Sequence, residues 1–259
     1  MQYSSSLNLT QFKRIAHLFP RKAKTGRPRE HRLFDIVNGI LYVLINGCKW
    51  MDLPHDFPTW KTVYHYFRKW SVSGLWKRIH DYLVTKTRKF HGRKTEPTLL
   101  IIDSQSVKSS NQLCSKGFDG NKKVKGRKKH VLVDVLGLLH GLHLSEANKH
   151  DRPEGLKLLE SLSEGCQQVV KLIADLGYDS ANFMEQVKSL KGWIVEISEK
   201  LTETVKTGFK VEPFRWIVER TFAWFNQARR LVRDYEVKIE HSISLHHLFM
   251  SRLMLRRIC

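Results

Sequence analysis

Up to about residue 90 the apolar positions recur every three or four residues, and beyond it they gather into short continuous runs. The first pattern predicts helices. Phe12, Ile15, Leu18 and Phe19 line a short one that Thr10 can cap and Pro20 ends. Leu33, Ile36, Val37, Ile40, Leu41 and Leu44 form the stripe of a longer one from His31 to Asn46, with Gly47 as its stop. A third helix, capped by Thr59, turns Trp60, Val63, Tyr64 and Phe67 inward and Lys61, Thr62, His65, Arg68 and Lys69 outward. A fourth, capped by Ser73, carries Leu75, Trp76, Ile79 and Leu83. The stretch RKFHGRKTEPT then reads as a linker and sets a domain boundary near residue 92.

The second pattern predicts strands at Thr98 to Val107, at 130–137 and 138–146 turned at Gly137, at Val169 to Ala174, and at 193–198. A helix between the third and fourth strands opens on Asp151-x-x-Glu154, a capping-box spacing, with Pro153 in its first turn. A right-handed crossover through that helix lets the fourth strand lie beside the first. A last long helix begins near Pro213, with Phe214, Val218, Thr221, Phe225 and Val232 on one side and Arg215, Glu219 and Asn226 on another.

Two acids end apolar strands: Asp103 in LLIIDSQSVK and Asp175 in VVKLIADLGYD. A carboxylate in such a place is costly unless a cation or a hydrogen-bond network compensates it, and the crossover brings the two onto neighbouring strands. With Glu219 they would make an oxygen-ligand site for hard divalent metals. Taken alone, Glu219 reads as a surface partner of Arg215 one turn away. Asp179 stands where it can cap the next helix, so Asp175 is the preferred ligand of that pair. Ser104 and Ser106 read as strand and hydrogen-bonding residues rather than nucleophiles.

Charge indicates what such a site acts on. The formal net charge is +20 and the sequence pI about 9.9, which points to a polyanion, with nucleic acid first. No apolar run approaches the roughly 20 residues of a membrane span, and MQYSSSLNLTQFKR is no signal peptide. The 4 cysteines make no CxxC pair and the 13 histidines no ligand spacing, so both read as structural in a reducing compartment. The outward face of the third helix suits a major groove, although KWMDLPHDFPT is far longer than a helix-turn-helix turn. The basic insert SKGFDGNKKVKGRKKH leads back into the sheet beside Asp103, with Lys125, Arg127, Lys128 and Lys129 as candidate phosphate contacts. Trp224 and RRLVRDYE are further candidates for DNA contact, with Trp224 also suited to the core.

The blocks GRPREHRLFDIVNGILYVLINGCKW, LPHDFPTWKTVYHYFRKW, IIDSQSVK, KGRKKHVLVDVLGL, IADLGYDS and RWIVERTFAWFNQARRLVRDYE, in this order, resemble bacterial insertion-sequence transposases of the DDE type, within the insertion-sequence-five family. The resemblance covers nearly the whole chain. It implies an α/β fold: an RNase H-like mixed sheet flanked by helices over residues 93–259, preceded by an all-helical, helix-turn-helix-like DNA-binding domain over 1–92. It carries the catalytic and metal-binding triad onto Asp103, Asp175 and Glu219, holding two Mg²⁺ ions with Mn²⁺ as an alternative, and it sets Arg215 in the signature around the last acid. Two positions depart: a tyrosine expected before Arg215 is Glu212, and a lysine expected after Glu219 is Asn226.

The implied partners are double-stranded DNA, both the element's terminal inverted repeats and its target, and further copies of the chain assembled on it. The implied location is the bacterial cytoplasm, at the nucleoid, with no membrane. Two-metal displacement at phosphorus would serve both cleavage and joining. A metal-dependent nuclease that cuts without joining, and a non-catalytic DNA-binding descendant, stand beside this reading.

Overall fold

The structure, a computed structural model, describes residues 3–21, 29–110, 115–162, 165–198 and 214–258. Most of RKAKTGRPRE, together with Cys114, Glu212, Pro213 and Cys259, lies outside them. The helices are α1 (Leu9–Ala16), α2 (Leu33–Asn46), α3 (Trp60–Val72), α4 (Leu75–Phe90), α5 (Asp151–Glu160), α6 (Ala181–Lys191), α7 (Arg215–Phe225), α8 (Arg229–Val232) and α9 (Ile239–Arg257). The strands are β1 (Leu99–Lys108), β2 (Gly117–Asp119), β3 (Val124–Val133), β4 (Leu139–Glu146), β5 (Lys171–Ala174) and β6 (Ile194–Ile197).

Two compact units result, one of residues 1–90 with 225–259 and one of residues 91–224. The expected division was 1–92 and 93–259; in the structure residues 225–259 group with the N-terminal helices. The reason is apolar and polar at once: α9 packs on α4, and Arg252 donates from Nε to the Ser5 carbonyl at 2.9 Å and from a terminal nitrogen to the Ser4 carbonyl at 2.8 Å. Such contacts leave no local trace in the sequence.

The first unit is all-helical. Ile36, Val37, Ile40, Leu41 and Leu44 of α2 are buried with Val63 and Phe67 of α3, as the stripe predicts. Gly47 ends α2 with φ +72°, the left-handed turn that glycine adopts without strain. The caps differ from expectation. Asn8, not Thr10, caps α1, exchanging hydrogen bonds with Gln11 in a full capping box. Ser73 closes α3 and donates to the Trp70 carbonyl instead of opening α4. Thr59 holds the N-cap position of α3 but its hydroxyl bonds to that of Thr62 at 3.1 Å.

The second unit is built on a 6-stranded mixed sheet in the order β2-β3-β1-β5-β6, with β4 also on β3. β1 and β3 are antiparallel, whereas β1, β5 and β6 run parallel. Leu100, Ile102, Leu132, Leu172 and Trp193 form a core with Leu158 and Leu159 of α5 and Phe183 and Val187 of α6. α7 docks on the β3–β4 turn: Thr221 donates to the Gly137 carbonyl at 3.0 Å and Arg220 to that of Leu136 at 3.1 Å. Gly137, at φ +76°, lets the Trp224 ring come within 2.9 Å of where a Cβ would stand.

Candidate active site

β1 and β5 pair in parallel through Leu99 with Lys171, Leu100 with Leu172 and Ile101 with Ile173. Asp103 and Asp175 each stand two residues past the last of these pairs, level with one another at the carboxyl end of the parallel strands. Apolar runs bury both strands, and both aspartates are half-buried at their ends. Burial, and then the neighbouring charge of Asp175, pushes the Asp103 carboxyl up to about 7. The Ser104 backbone N–H, donating to Asp103 Oδ1 at 2.6 Å, and the Lys122 and Arg215 cations pull the other way. Asp175 is likewise raised, by burial first and by the Asp151 charge second, against the Gly177 N–H at 3.1 Å, Lys122 and Arg215.

Asp103 and Asp175 fit a divalent cation chemically, since the desolvation that raises them is what such an ion relieves. Glu219 does not join them. Its side chain is 58% exposed and its Oε1 accepts from Arg215 Nε at 3.0 Å, one turn back on α7. Among the described residues no three His, Cys, Asp or Glu side chains converge closely enough to enclose one ion. Glu219 is linked to the aspartates through Arg215, whose charge reaches both. The helix carrying it also ends sooner than expected: α7 stops at Phe225, so Asn226 leaves the Arg215–Glu219 face, and Val232 is exposed beyond it.

KGRKKH forms most of β3, between β1 and β4, and it is buried from Gly126 onward, against the expectation of solvent-facing phosphate contacts at Arg127, Lys128 and Lys129. Arg127 is fully buried and donates to Ser115 at both the carbonyl, 3.1 Å, and the hydroxyl, 2.7 Å. Lys128 is buried on the Lys149 carbonyl at 2.9 Å and Asp151 at 3.0 Å, and Lys129 is buried too. None of these three faces solvent as a phosphate contact must, whereas Lys125 is exposed. On α3, Lys61, Arg68 and Lys69 are exposed, with Lys61 over the Trp60 ring at 5.9 Å and Arg68 over that of Tyr64 at 5.8 Å. Trp224 is buried, with the Arg220 guanidinium 4.9 Å over its ring.

Sequence reasoning missed Asp151, Lys122 and Tyr178. The expected capping box is absent: α5 begins at Asp151 itself with His150 at the N-cap, and Glu154 turns to His143 and Lys157, each at 2.7 Å. Asp151 instead accepts from Ser104 Oγ at 2.8 Å, 47 residues away. Lys122 reaches the Ser104 carbonyl at 3.4 Å from a turn held by Asp119, which accepts from the backbone of Asn121 and Lys122 and from the Ser106 hydroxyl. The only available signal was the run of acids and cations itself. Asp179 is exposed and Ser180, not Asp179, stands at the N-cap of α6.

No helix among the described residues is long and apolar enough to cross a membrane. Residues 7–80 match a family described as putative transposases of the IS4/5 family, and residues 94–254 match the transposase DDE domain. The chain is 28% identical over 132 residues to a putative transposase for insertion sequence element IS402 of Burkholderia cepacia, covering 48% of this chain and 59% of that protein. It is 32% identical over 94 residues, 35% of this chain, to an uncharacterized 16.2 kDa protein of the same insertion element, covering 61% of it. With a transposase for insertion sequence element IS1106 of Neisseria meningitidis serogroup B it shares 32% identity over 114 residues, 42% of this chain and 38% of that one. The chain therefore spans less than two thirds of the length of the curated relatives it matches. The DDE match begins at residue 94, covers nearly all of the second unit and runs on into the C-terminal helices: the chain belongs to the DDE transposases of insertion sequences.

Proposed function

We propose that this protein cleaves DNA at the terminal inverted repeats of an insertion sequence and joins the freed 3′-OH ends to target DNA, on an RNase H-like catalytic unit. The observation that carries the reading is the level placement of Asp103 and Asp175 on adjacent parallel strands, with the Asp103 carboxyl raised to about 7. Two partly desolvated acids side by side past the parallel pairing of β1 and β5 attract divalent cations. Asp103, Asp175 and Glu219 would hold Mg²⁺ or Mn²⁺, which when bound lowers the pKa of an attacking oxygen and stabilises the leaving one.

The chain's own groups supply the rest. Arg215, whose charge draws both aspartates downward and which pairs with Glu219, would meet a phosphate oxygen of the DNA. In the first step water adds at phosphorus and the 3′ oxygen of the element end leaves with a proton. In the second, that 3′-OH adds at a target phosphorus and a target 3′ oxygen leaves. Each is one P–O bond made and one broken, so the same acids serve both.

In the helical unit Lys61, Arg68 and Lys69 on α3 form the surface that meets the element ends, and Lys125 adds a contact beside the sheet. Several copies assemble on the paired ends. The test is an inverted-repeat duplex incubated with the purified protein, Mg²⁺ and supercoiled target. Nicked ends together with joined products are expected. Nicks without joined products would leave a metal-dependent nuclease, and the absence of both would leave a DNA-binding protein.

A further inference from the structure

Behind the two aspartates stands a carboxylate that the proposed reaction does not use. Asp151 opens α5 and is 27% exposed, on a cavity of about 960 Å³ that Lys128, Gly177 and Asn182 also line. Its Oδ1 accepts from Ser104 Oγ at 2.8 Å and meets Lys128 Nζ at 3.0 Å. Ser104 in turn donates its backbone N–H to Asp103. One residue thus ties Asp103 to Asp151. The other oxygen of Asp151 faces Asp175 across a glycine: a Cβ on Gly177 would stand 3.1 Å from Asp175 Oδ1 and 3.6 Å from Asp151 Oδ2.

A second observation sits at the same place. Tyr178 is 1% exposed and its hydroxyl has no hydrogen-bond partner among the described residues. The charges that bear on that hydroxyl are those of Asp151, Asp103 and Asp175. The ring reaches this position because Gly155, one turn after Asp151 on α5, has no side chain: a Cβ there would lie 2.7 Å from Tyr178 Cε1.

We propose that Asp151 is a positioning residue for the divalent-metal centre: it fixes Asp103 through Ser104 and adds negative potential at Asp175, while Lys128 limits that potential. This rests on the reading of Asp103 and Asp175 as metal ligands. Asp151 need not touch the ion, because a unit charge several ångströms away in a partly dry site changes cation affinity substantially.

The experiment measures Mn²⁺ binding to the full chain without DNA, by calorimetry and by the loss of free Mn²⁺ paramagnetic signal. Asp151→Asn keeps the shape and one acceptor oxygen for Ser104 but removes the charge, and it is expected to weaken Mn²⁺ about ten-fold. Lys128→Gln removes the cation that offsets Asp151 and is expected to tighten Mn²⁺ a few-fold. A merely structural role would weaken binding in both variants, so the opposite signs carry the proposal. Unchanged affinity in Asp151→Asn, or weakened affinity in Lys128→Gln, overturns it. Should Asp151→Asn fail to fold, Lys128→Gln decides alone, unchanged or weaker binding counting against the proposal. Asp103→Asn is the separate control: wild-type Mn²⁺ binding there would overturn the metal-ligand reading itself, whatever Asp151 does.

Discussion

Arg215 Nε lies 3.0 Å from Glu219 Oε1 across one turn of α7, and the same guanidinium bears on Asp103 and Asp175. Exposed pairs of this kind contribute little to stability, on the order of 0.3–0.5 kcal/mol. Glu219 is therefore held loosely enough to exchange its partner. If it is the third ligand, Glu219→Gln should lower DNA cleavage by at least ~10³-fold, about 4 kcal/mol of transition-state stabilisation. Melting temperature should hardly move. Near wild-type cutting by this variant would return Glu219 to a surface role.

The Asp103 carboxyl gives the metal-free protein a pH signature. Its folded pKa of about 7 lies above the ordinary 3.8, so the folded state keeps a proton that the unfolded chain releases in between. The resulting stability is complete below about pH 4 and is lost as pH rises toward 7. Thermal melts in chelator between pH 5 and 8 should show a decline in the wild type that Asp103→Asn largely removes, with the variant melting higher above pH 7. Asp175, raised in the same sense, leaves part of the slope behind. Parallel curves for the two proteins would contradict the burial argument.

Asp175 and Asp179 separate cleanly. Asp175 follows β5 and accepts from the Gly177 N–H, whereas Asp179 is exposed past the short 3-10 turn Leu176–Tyr178. Asp179→Asn should keep most cleavage activity and Asp175→Asn should abolish it, read on the same inverted-repeat duplex. The reverse ranking would move the second ligand to Asp179.

Salt dependence tests the α3 surface, and it must be read on the full chain because the helical unit includes residues 225–259. Each phosphate contact contributes about −0.9 to the slope of log affinity against log salt. Replacing Lys61, Arg68 and Lys69 together by Ala should make the slope shallower by up to about 2.7 on that basis. An unchanged slope would place the DNA elsewhere.

The two strand-end aspartates stood out in the sequence because each follows a largely apolar run, and the crossover helix between them dictates parallel pairing. What stayed hidden depended on partners remote in the chain. Arg127 and Lys128 read as solvated charges until Ser115 and Asp151 are seen beside them. Asp151 offered a plausible local role at a helix start, and its actual acceptor duty toward Ser104 spans 47 residues. The cap of α1 was displaced because several Ser, Thr and Asn stand close together there, and which of them meets a free N–H is settled by packing.

Arg252 bonded to Ser4 and Ser5 also has a meaning for synthesis. The second unit is continuous along the chain and is complete once the ribosome has passed Trp224, whereas the first unit must wait, its α4 surface uncovered, until α9 emerges. A product ending between Trp224 and Ile239, from a frameshift or a stop codon, would therefore retain the sheet with Asp103 and Asp175 but lack the helix that completes the other unit.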